Sequence, residues 1–439
     1  MKNIGFISLG CAKNLTDTET MLGILTDGGF GITADPTEAQ VLVVNTCAFI
    51  DSAKEESINA ILEMAQYKQD KCELLIVTGC LAQRYKEDIE RELTEVDIIL
   101  GTSDYDKIAD VIKEFYQNGN KNSFVGSADR DISENLKRVR TTPSYSAYLK
   151  IADGCDNHCT YCIIPKLRGK FRSRSEDSIL NEAKLLAKEG VKELILVAQD
   201  TAYYGKDKGE YKLAQLIKKL STVDGIEWIR LQYCYPENIT DELIDEIANN
   251  PKVVKYIDMP LQHVSDNVLK RMGRKSRKAE IEELVQKLRS KIDGVVIRTS
   301  LITGFPGETE EDFNELMEFG KKYKLDKVGV FAYSKEEGTP AYNYDNQVDS
   351  NTAQKRADQF MLMQREVSKQ INQAKIGKTV TVIVEGYDEG EFCYVGRTST
   401  DTPDVDGLAY IYSEQELTAG EILDVQVIDC DEYDIITKI

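Results

Sequence analysis

Cys155-Asp156-Asn157-His158-Cys159-Thr160-Tyr161-Cys162 brings three thiols together within one short stretch. It directly follows Tyr148–Ala152, an apolar run with the composition of a buried strand. Isolated cysteines fill cores, whereas a tight triplet is spaced to converge on one centre. Two centres satisfy this spacing. Three thiolates can hold a [4Fe-4S] cluster with one iron open to another molecule, and the same thiolates with His158 can hold a zinc ion. The unit then repeats, with strand candidates Glu193–Ala198, Trp228–Gln232, Val254–Asp258, Val295–Ile302 and Val328–Tyr333. Helical patterns separate them, as in Ser175–Lys188, where Ser173-Arg174-Ser175-Glu176 reads as a capping box and Gly190 as the stop. Six such units predict a partial (β/α)6 TIM-like barrel whose working face lies at the C-terminal ends of its strands.

Toward the N-terminus, Ile4–Leu9, Val41–Asn45, Leu74–Thr78 and Asp97–Leu100 alternate with helical patterns and predict an α/β domain with a parallel sheet. Thr16-Asp17-Thr18-Glu19 has capping-box spacing before Met21, Leu22, Ile24 and Leu25, and Gly28-Gly29 follows as a stop. Cys11, Cys47 and Cys80 each fall just past a candidate strand. In parallel neighbours the three thiols would project at one sheet edge, where open α/β sheets place ligands. Gln117–Ser144, with mixed charges and little apolar periodicity, reads as a linker.

Toward the C-terminus, a polar helix around Thr352–Lys375 precedes Thr379–Val384, Phe392–Gly396, Leu408–Ile411 and Leu423–Ile428, which predict a small antiparallel β-barrel. The expected domains are therefore 1–135, 140–373 and 374–439. Of the 439 residues, 41% are hydrophobic and 30% charged, as in a globular protein. No apolar run approaches the roughly 20 residues of a membrane helix, and no charged segment followed by an apolar stretch opens the chain. The expectation is a cytoplasmic protein with no membrane partner. The net charge of -20 disfavours a general nucleic-acid coat. Ile376–Ile439 holds three basic and fifteen acidic side chains. Such a barrel repels RNA and attracts a basic protein, unless its acidity serves only solubility.

Cys-x3-Cys-x-aromatic-Cys at the end of the first strand of a partial barrel resembles the radical S-adenosylmethionine (SAM) superfamily. Ser8-Leu9-Gly10-Cys11-Ala12-Lys13-Asn14, Asn45-Thr46-Cys47-Ala48-Phe49-Ile50 and Val77-Thr78-Gly79-Cys80-Leu81-Ala82-Gln83-Arg84 are similar to the N-terminal domain of its methylthiotransferases. Cys162-Ile163-Ile164-Pro165, Arg168-Gly169 and Arg172-Ser173-Arg174 continue the barrel motif, and the C-terminal barrel resembles a TRAM domain. The resemblance implies two [4Fe-4S] clusters. Cys155, Cys159 and Cys162 would hold the one whose open iron binds SAM, and Cys11, Cys47 and Cys80 an auxiliary one that carries sulfur. It also implies Tyr161 against adenine, Asp200 (after Gln199) as acceptor for the SAM ammonium, and Gly304, in Gly304-Phe305-Pro306-Gly307-Glu308-Thr309, beside SAM. Phe331 and Tyr333, with Ala332 between them, would flank the adenosyl group. Read unaided, the Gly304 loop is a turn and helix cap, and Phe331 to Tyr333 are equally core packing. His263, after Met259-Pro260-Leu261-Gln262, is equally a structural histidine. Lys166, Arg168, Lys170, Arg172 and Arg174 form either a solvated loop or a contact to the SAM carboxylate or substrate. Cys72, Cys234, Cys393 and Cys430 read as structural.

Members of this family modify either an adenosine of transfer RNA or the β-carbon of one aspartate in small-subunit ribosomal protein twelve. Gly10-Cys11-Ala12-Lys13-Asn14 resembles the ribosomal-protein form, with Ala12 where Pro is usual, rather than the Gln-Met-Asn form of the transfer-RNA enzymes. With the acidic barrel, this implies a transferase that methylthiolates the basic ribosomal protein, free or in the subunit, with tRNA disfavoured. One SAM would donate the methyl group and another the radical, served by an external one-electron donor and a sulfur donor. The alternatives are a tRNA adenosine methylthiotransferase and a zinc-bound, non-enzymatic protein-binding module.

Overall fold

The computed structural model describes residues 2–134 and 136–439; the expected domain boundary at 135 falls outside them, as does Met1. Strands β1 (Asn3–Ser8), β2 (Gly31–Thr33), β3 (Val41–Thr46), β4 (Leu74–Gly79) and β5 (Ile98–Leu100) form a parallel sheet in the order β2-β1-β3-β4-β5. β3 and β4 are buried along their whole length. Val41, Val43, Leu74 and Ile76 face one apolar layer, and Leu42, Val44, Leu75 and Val77 face the other, as central parallel strands require. β2, a three-residue edge strand, has no apolar run to reveal it in the sequence.

The expected helix start is corrected. Helix α1 spans Ala12–Asp27 with Cys11 at its cap, so Thr16, Asp17, Thr18 and Glu19 lie buried inside it. Their polar spacing serves an interface: Thr18 Oγ1 meets Ser8 Oγ at 2.9 Å, and Glu19 accepts from Thr141 N at 2.6 Å. The expected linker is likewise ordered. Phe124 bridges Leu100, and Val139 N donates to Glu19 O at 3.0 Å.

The central unit begins with β6 (Ser146–Lys150). β7 (Ala152–Asp153) and β8 (Arg172–Ser173) then pair antiparallel around the cysteine loop. With β9 (Glu193–Val197), β10 (Trp228–Leu231), β11 (Val253–Asp258), β12 (Val296–Thr303) and β13 (Lys327–Ala332), β6 makes a six-stranded sheet of consecutive parallel neighbours. Leu149, Leu194, Leu196, Ile229, Leu231 and Ile297 bury its outer face in the main core. The cap of the helix Glu176–Lys188 is Ser175, which accepts from Ser178 N at 3.3 Å. Ser173, read as the cap, instead donates to Asp207 at 2.6 Å. The helix Ser350–Gln373 closes the far edge through Phe360 and the Thr303 Oγ1 to Ala353 O bond at 2.9 Å.

β14 (Thr379–Asp388), β15 (Cys393–Thr398), β16 (Ala409–Tyr412), β17 (Ile422–Cys430) and β18 (Ile435–Lys438) form a closed barrel in the order β14-β15-β16-β18-β17. It is not wholly antiparallel: β18, a short strand after an acidic turn, inserts beside β16 in parallel. This barrel docks on the central unit through polar ties. Arg397 pairs with Glu193, which also takes Arg230 Nε at 2.8 Å. Lys327 meets Asp401 at 2.6 Å, Gln232 meets Thr402 at 2.6 Å and Tyr256 meets Asp406 at 2.8 Å. Glu385, 2.9 Å from Arg397, Asp401 and Asp406 therefore serve internal contacts rather than the surface. Among the described residues no helix is long and apolar enough to cross a membrane.

Candidate active site

The first thiol triad sits at the C-terminal edge of the N-terminal sheet. Cys11 follows β1, Cys47 follows β3 and Cys80 follows β4, and the register Ser8–Asn45 and Thr46–Gly79 brings the three strand ends level. Two glycines permit the approach. Gly10 has φ +89° and a Cβ there would lie 2.9 Å from Cys47 Cβ; Gly79 has φ +92° and a Cβ would overlap Asn45 Oδ1. Asn14 stitches the cage by donating to Leu9 O at 3.0 Å and Thr46 O at 2.9 Å. Burial pushes the Cys80 thiol up to about 12 and raises that of Cys47. Loss of water opposes the Cys11 thiolate too, but Lys13 and Arg168 outweigh it and lower its pKa.

The second triad follows β7. Gly154, at φ +81°, turns the chain where a Cβ would overlap Lys170 O. Asp156 accepts from Phe171 N at 2.9 Å, and Thr160 N and Oγ1 bond Met272 O and Arg271 O at 2.9 and 2.8 Å. Cys159 Sγ lies 3.3 Å from Tyr235 Oη, and Arg274 stacks on the Tyr235 ring at 4.1 Å. Burial raises the Cys155 thiol to about 12 and the Cys162 thiol further. His158 is exposed. Among the described residues no three His, Cys, Asp or Glu side chains close around a single ion. An all-thiol donor set in a glycine-made cradle fits an iron-sulfur cluster.

Residues 233–235, just past β10, touch Cys159 of the second triad and Lys13, two residues from Cys11 of the first. Tyr235 reaches Cys159. Tyr233, in the left-handed region at φ +59°, donates its N–H to Asp258 Oδ2 at 3.0 Å and lies with its ring 3.4 Å from Lys13 Nζ. A second link is ionic. Arg168 Nη1 is 2.6 Å from Asp17 and 3.3 Å from Asp153, its Nη2 meets Asn14, and Lys150 contacts the same two carboxylates. A third joins Arg84 and Lys54 to Glu336 at 3.0 and 2.9 Å.

The basic run is corrected on these contacts. Arg168 and Arg174 are buried rather than solvated, and Arg174 is held by Lys150 O at 2.7 Å and Glu182 at 2.6 Å. Lys166 donates to Gly338 O at 2.7 Å and Arg172 to Lys170 O at 2.6 Å. These groups tie the cysteine loop to its surroundings; Lys166 and Lys170 are the exposed members of the run.

Asp200 is 1% exposed and accepts from Asn157 at 2.9 Å and Asn238 at 2.7 Å, with burial lifting its pKa to about 6. Gly304, at φ +73°, donates its N–H to Glu308 at 2.7 Å, and Thr309 caps the helix Glu310–Tyr323, so the turn and cap are both present. Tyr161 and Tyr333 meet on buried Phe305, with ring centroids 6.3 and 5.2 Å away. Both hydroxyls, like Gln199 Oε1, are buried without a hydrogen-bond partner. Phe331 is 56% exposed, so it does not pack in the core. His263 is fully buried and accepts from Ser265 N at 3.0 Å; burial draws its pKa down to about 3, which leaves it neutral. Sequence reasoning missed Asp17, Lys150, Asp153, Tyr233, Tyr235 and Arg274. Only Lys150, a charge inside an apolar strand, carried a visible signal.

A family model described as the Radical SAM superfamily matches residues 149–320, one described as Uncharacterized protein family UPF0004 matches 3–101, and one described as TRAM domain matches 376–439. The ribosomal protein uS12 methylthiotransferase RimO of Acetivibrio thermocellus is 51% identical, across 100% of this chain and 98% of its own. Its namesake in Thermoanaerobacter sp. is 48% identical, across 99% of each chain. Among solved structures, the radical S-adenosylmethionine methyltransferase TsrM from Kitasatospora setae shares the fold, with a TM-score of 0.58 at 14% identity over 78% of this chain and 77% of its own.

Proposed function

The chain belongs to the family of ribosomal protein uS12 methylthiotransferases, a radical SAM family, and on that premise we propose that it transfers a methylthio group to the β-carbon of an aspartate in ribosomal protein uS12. The observation that carries this reading is the presence of two thiol triads, each past the C-terminal ends of parallel strands, with residues 233–235 linking Cys159 of one to Lys13 beside Cys11 of the other. We assign Cys155, Cys159 and Cys162 to one [4Fe-4S] cluster and Cys11, Cys47 and Cys80 to a second, in functional units 1–135, 140–373 and 374–439. When bound, the first supplies the electron that splits SAM into methionine and a 5′-deoxyadenosyl radical, and the second supplies the site where sulfur is methylated and passed on.

The chain's own residues do the holding. The thiols of both cages give up their protons as metal loads. Tyr161, Phe305 and Tyr333 form an aromatic wall suited to an adenine ring, and the unpartnered hydroxyls of the two tyrosines offer it hydrogen bonds. Gln199 Oε1 and Asp200, just past β9, lie beside the cysteine loop, where they suit the SAM ammonium as acceptors, and Gly304 shapes the turn past β12. Phe331 presents an exposed ring at the end of β13. The acidic face of the C-terminal barrel suits a basic ribosomal protein, free or in the subunit. An external one-electron donor and a sulfur donor complete the cycle.

The test is anaerobic reconstitution followed by iron analysis, then reaction with reductant, SAM and uS12 read by intact mass and fragment mapping. Iron for two four-iron clusters and a gain of one methylthio group on a single aspartate are expected. Iron for one cluster, or methylthioadenosine in transfer RNA with uS12 unchanged, would overturn the assignment.

A further inference from the structure

Lys13 leaves the N-terminal triad two residues after Cys11 and crosses to the central unit, where its Nζ lies 3.4 Å from the centroid of the Tyr233 ring. The residue is 8% exposed. Among the described residues its ammonium has neither a hydrogen-bond nor a carboxylate partner, whereas Lys150 and Arg168, the other buried cations of this interface, each hold two carboxylates. Cys11 and Asp258 favour its charge from nearby without bonding it, and an aromatic face returns only part of the cost of taking an ammonium that no carboxylate grips largely out of water.

The nearby Asp258 is already engaged, by Arg298 at 2.8 Å and by Tyr233 N at 3.0 Å. Those bonds hold Tyr233 at φ +59°, a conformation that disfavours an aromatic residue and survives only where its surroundings impose it. The fold thus uses strain to set a ring beneath a cation that no carboxylate holds. Tyr235, two residues on, touches Cys159 of the other triad, so this short segment runs from the Lys13 ammonium to the second sulfur cage.

We infer that Lys13 binds the carboxylate of the substrate aspartate, an inference that rests on the proposed function. In aspartate the carboxylate is bonded directly to the β-carbon, so an anion gripped at Lys13 fixes the reacting C–H between the triads. A charge-assisted bond would give the ammonium the carboxylate partner it lacks.

The test compares reconstituted wild-type enzyme with Lys13→Met, which keeps the stem without the charge, and Lys13→Arg, which keeps the charge. The probes are uS12 and its Asp→Asn variant at the position the enzyme modifies, with dissociation constants measured without reductant and iron content measured in parallel. Lys13→Met should weaken binding of the aspartate form by about thirtyfold or more, Lys13→Arg should restore most of it, and the asparagine form should bind wild type and Lys13→Met alike. Equal weakening of both forms, weaker SAM binding in place of weaker uS12 binding, or loss of half the iron in Lys13→Met would overturn the inference. Failure of the wild type to modify any aspartate of uS12 would instead remove the underlying function, and it shows before any variant is compared.

Discussion

Tyr235 Oη, 3.3 Å from Cys159 Sγ, is a polar group aimed at a sulfur that the proposed function assigns to the radical-generating cluster. Hydrogen bonds to cluster sulfurs raise the reduction potential because they stabilise the more negative reduced state. Tyr235→Phe is therefore expected to lower that cluster's midpoint potential in an EPR-monitored titration, and an unchanged potential would count against the contact. His263 behaves differently because it is buried and neutral. Desolvation draws its pKa from the ordinary 6.5 to about 3, so the unfolded chain takes up a proton that the folded one refuses. Stability should be full above pH 6.5 and fall as pH drops toward 3. His263→Gln should flatten that part of the profile in urea midpoints measured at several pH values. At this scale the six cysteines were legible because spacing and strand ends place them. Tyr233 and Tyr235 were not, since an aromatic pair past a strand looks like core until a neighbouring unit is laid upon it.

The elements place the cages through backbone rather than through side-chain length. Gly10 sits at φ +89° with Cys47 at the spot a Cβ would occupy, so Gly10→Ala adds about 1–3 kcal/mol of strain where the thiols must converge. The expected outcome is a protein that folds yet retains iron only at the second triad, read as iron per chain after reconstitution. The parallel strands of both sheets were legible because buried strands are continuous apolar runs. β2 and β18 were not, being short and placed by their neighbours. The start of α1 misled for a physical reason: Thr16 to Glu19 carry the residue types of a cap, but their partners are Ser8, Thr141 and the cations of another unit, which local spacing cannot report.

Across the whole molecule the three units are joined largely by buried charge. Burial works to raise the Glu193 carboxyl, but Arg397 and Arg230 outweigh it and bring it down to about 2 from the ordinary 4.5. This tie is present above pH 4.5 and is lost as pH falls through about 2. Glu193→Gln leaves two buried guanidinium groups short of an anion and should cost about 3–5 kcal/mol, seen as a lower thermal midpoint and faster proteolysis between the helix Ser350–Gln373 and β14. Arg168→Met should destabilise the N-terminal seam by a similar amount, about 3–5 kcal/mol, because Asp17 and Asp153 lose a shared cation. The three-part architecture was legible from its changes of periodicity; the seams were not, because their partners are far apart in the chain.

The link from Lys13 to Cys159 through Tyr233, Cys234 and Tyr235 bears on transport. Two peptide steps reach at most about 7 Å, and both ends of this segment are pinned, by Asp258 at one and by Cys159 and Arg274 at the other. Under the proposed function no swinging arm carries the sulfur group from one workplace to the next. The gap is a fixed bench, and the piece that must travel is the ribosomal protein's own chain, threaded in for reaction and withdrawn after it.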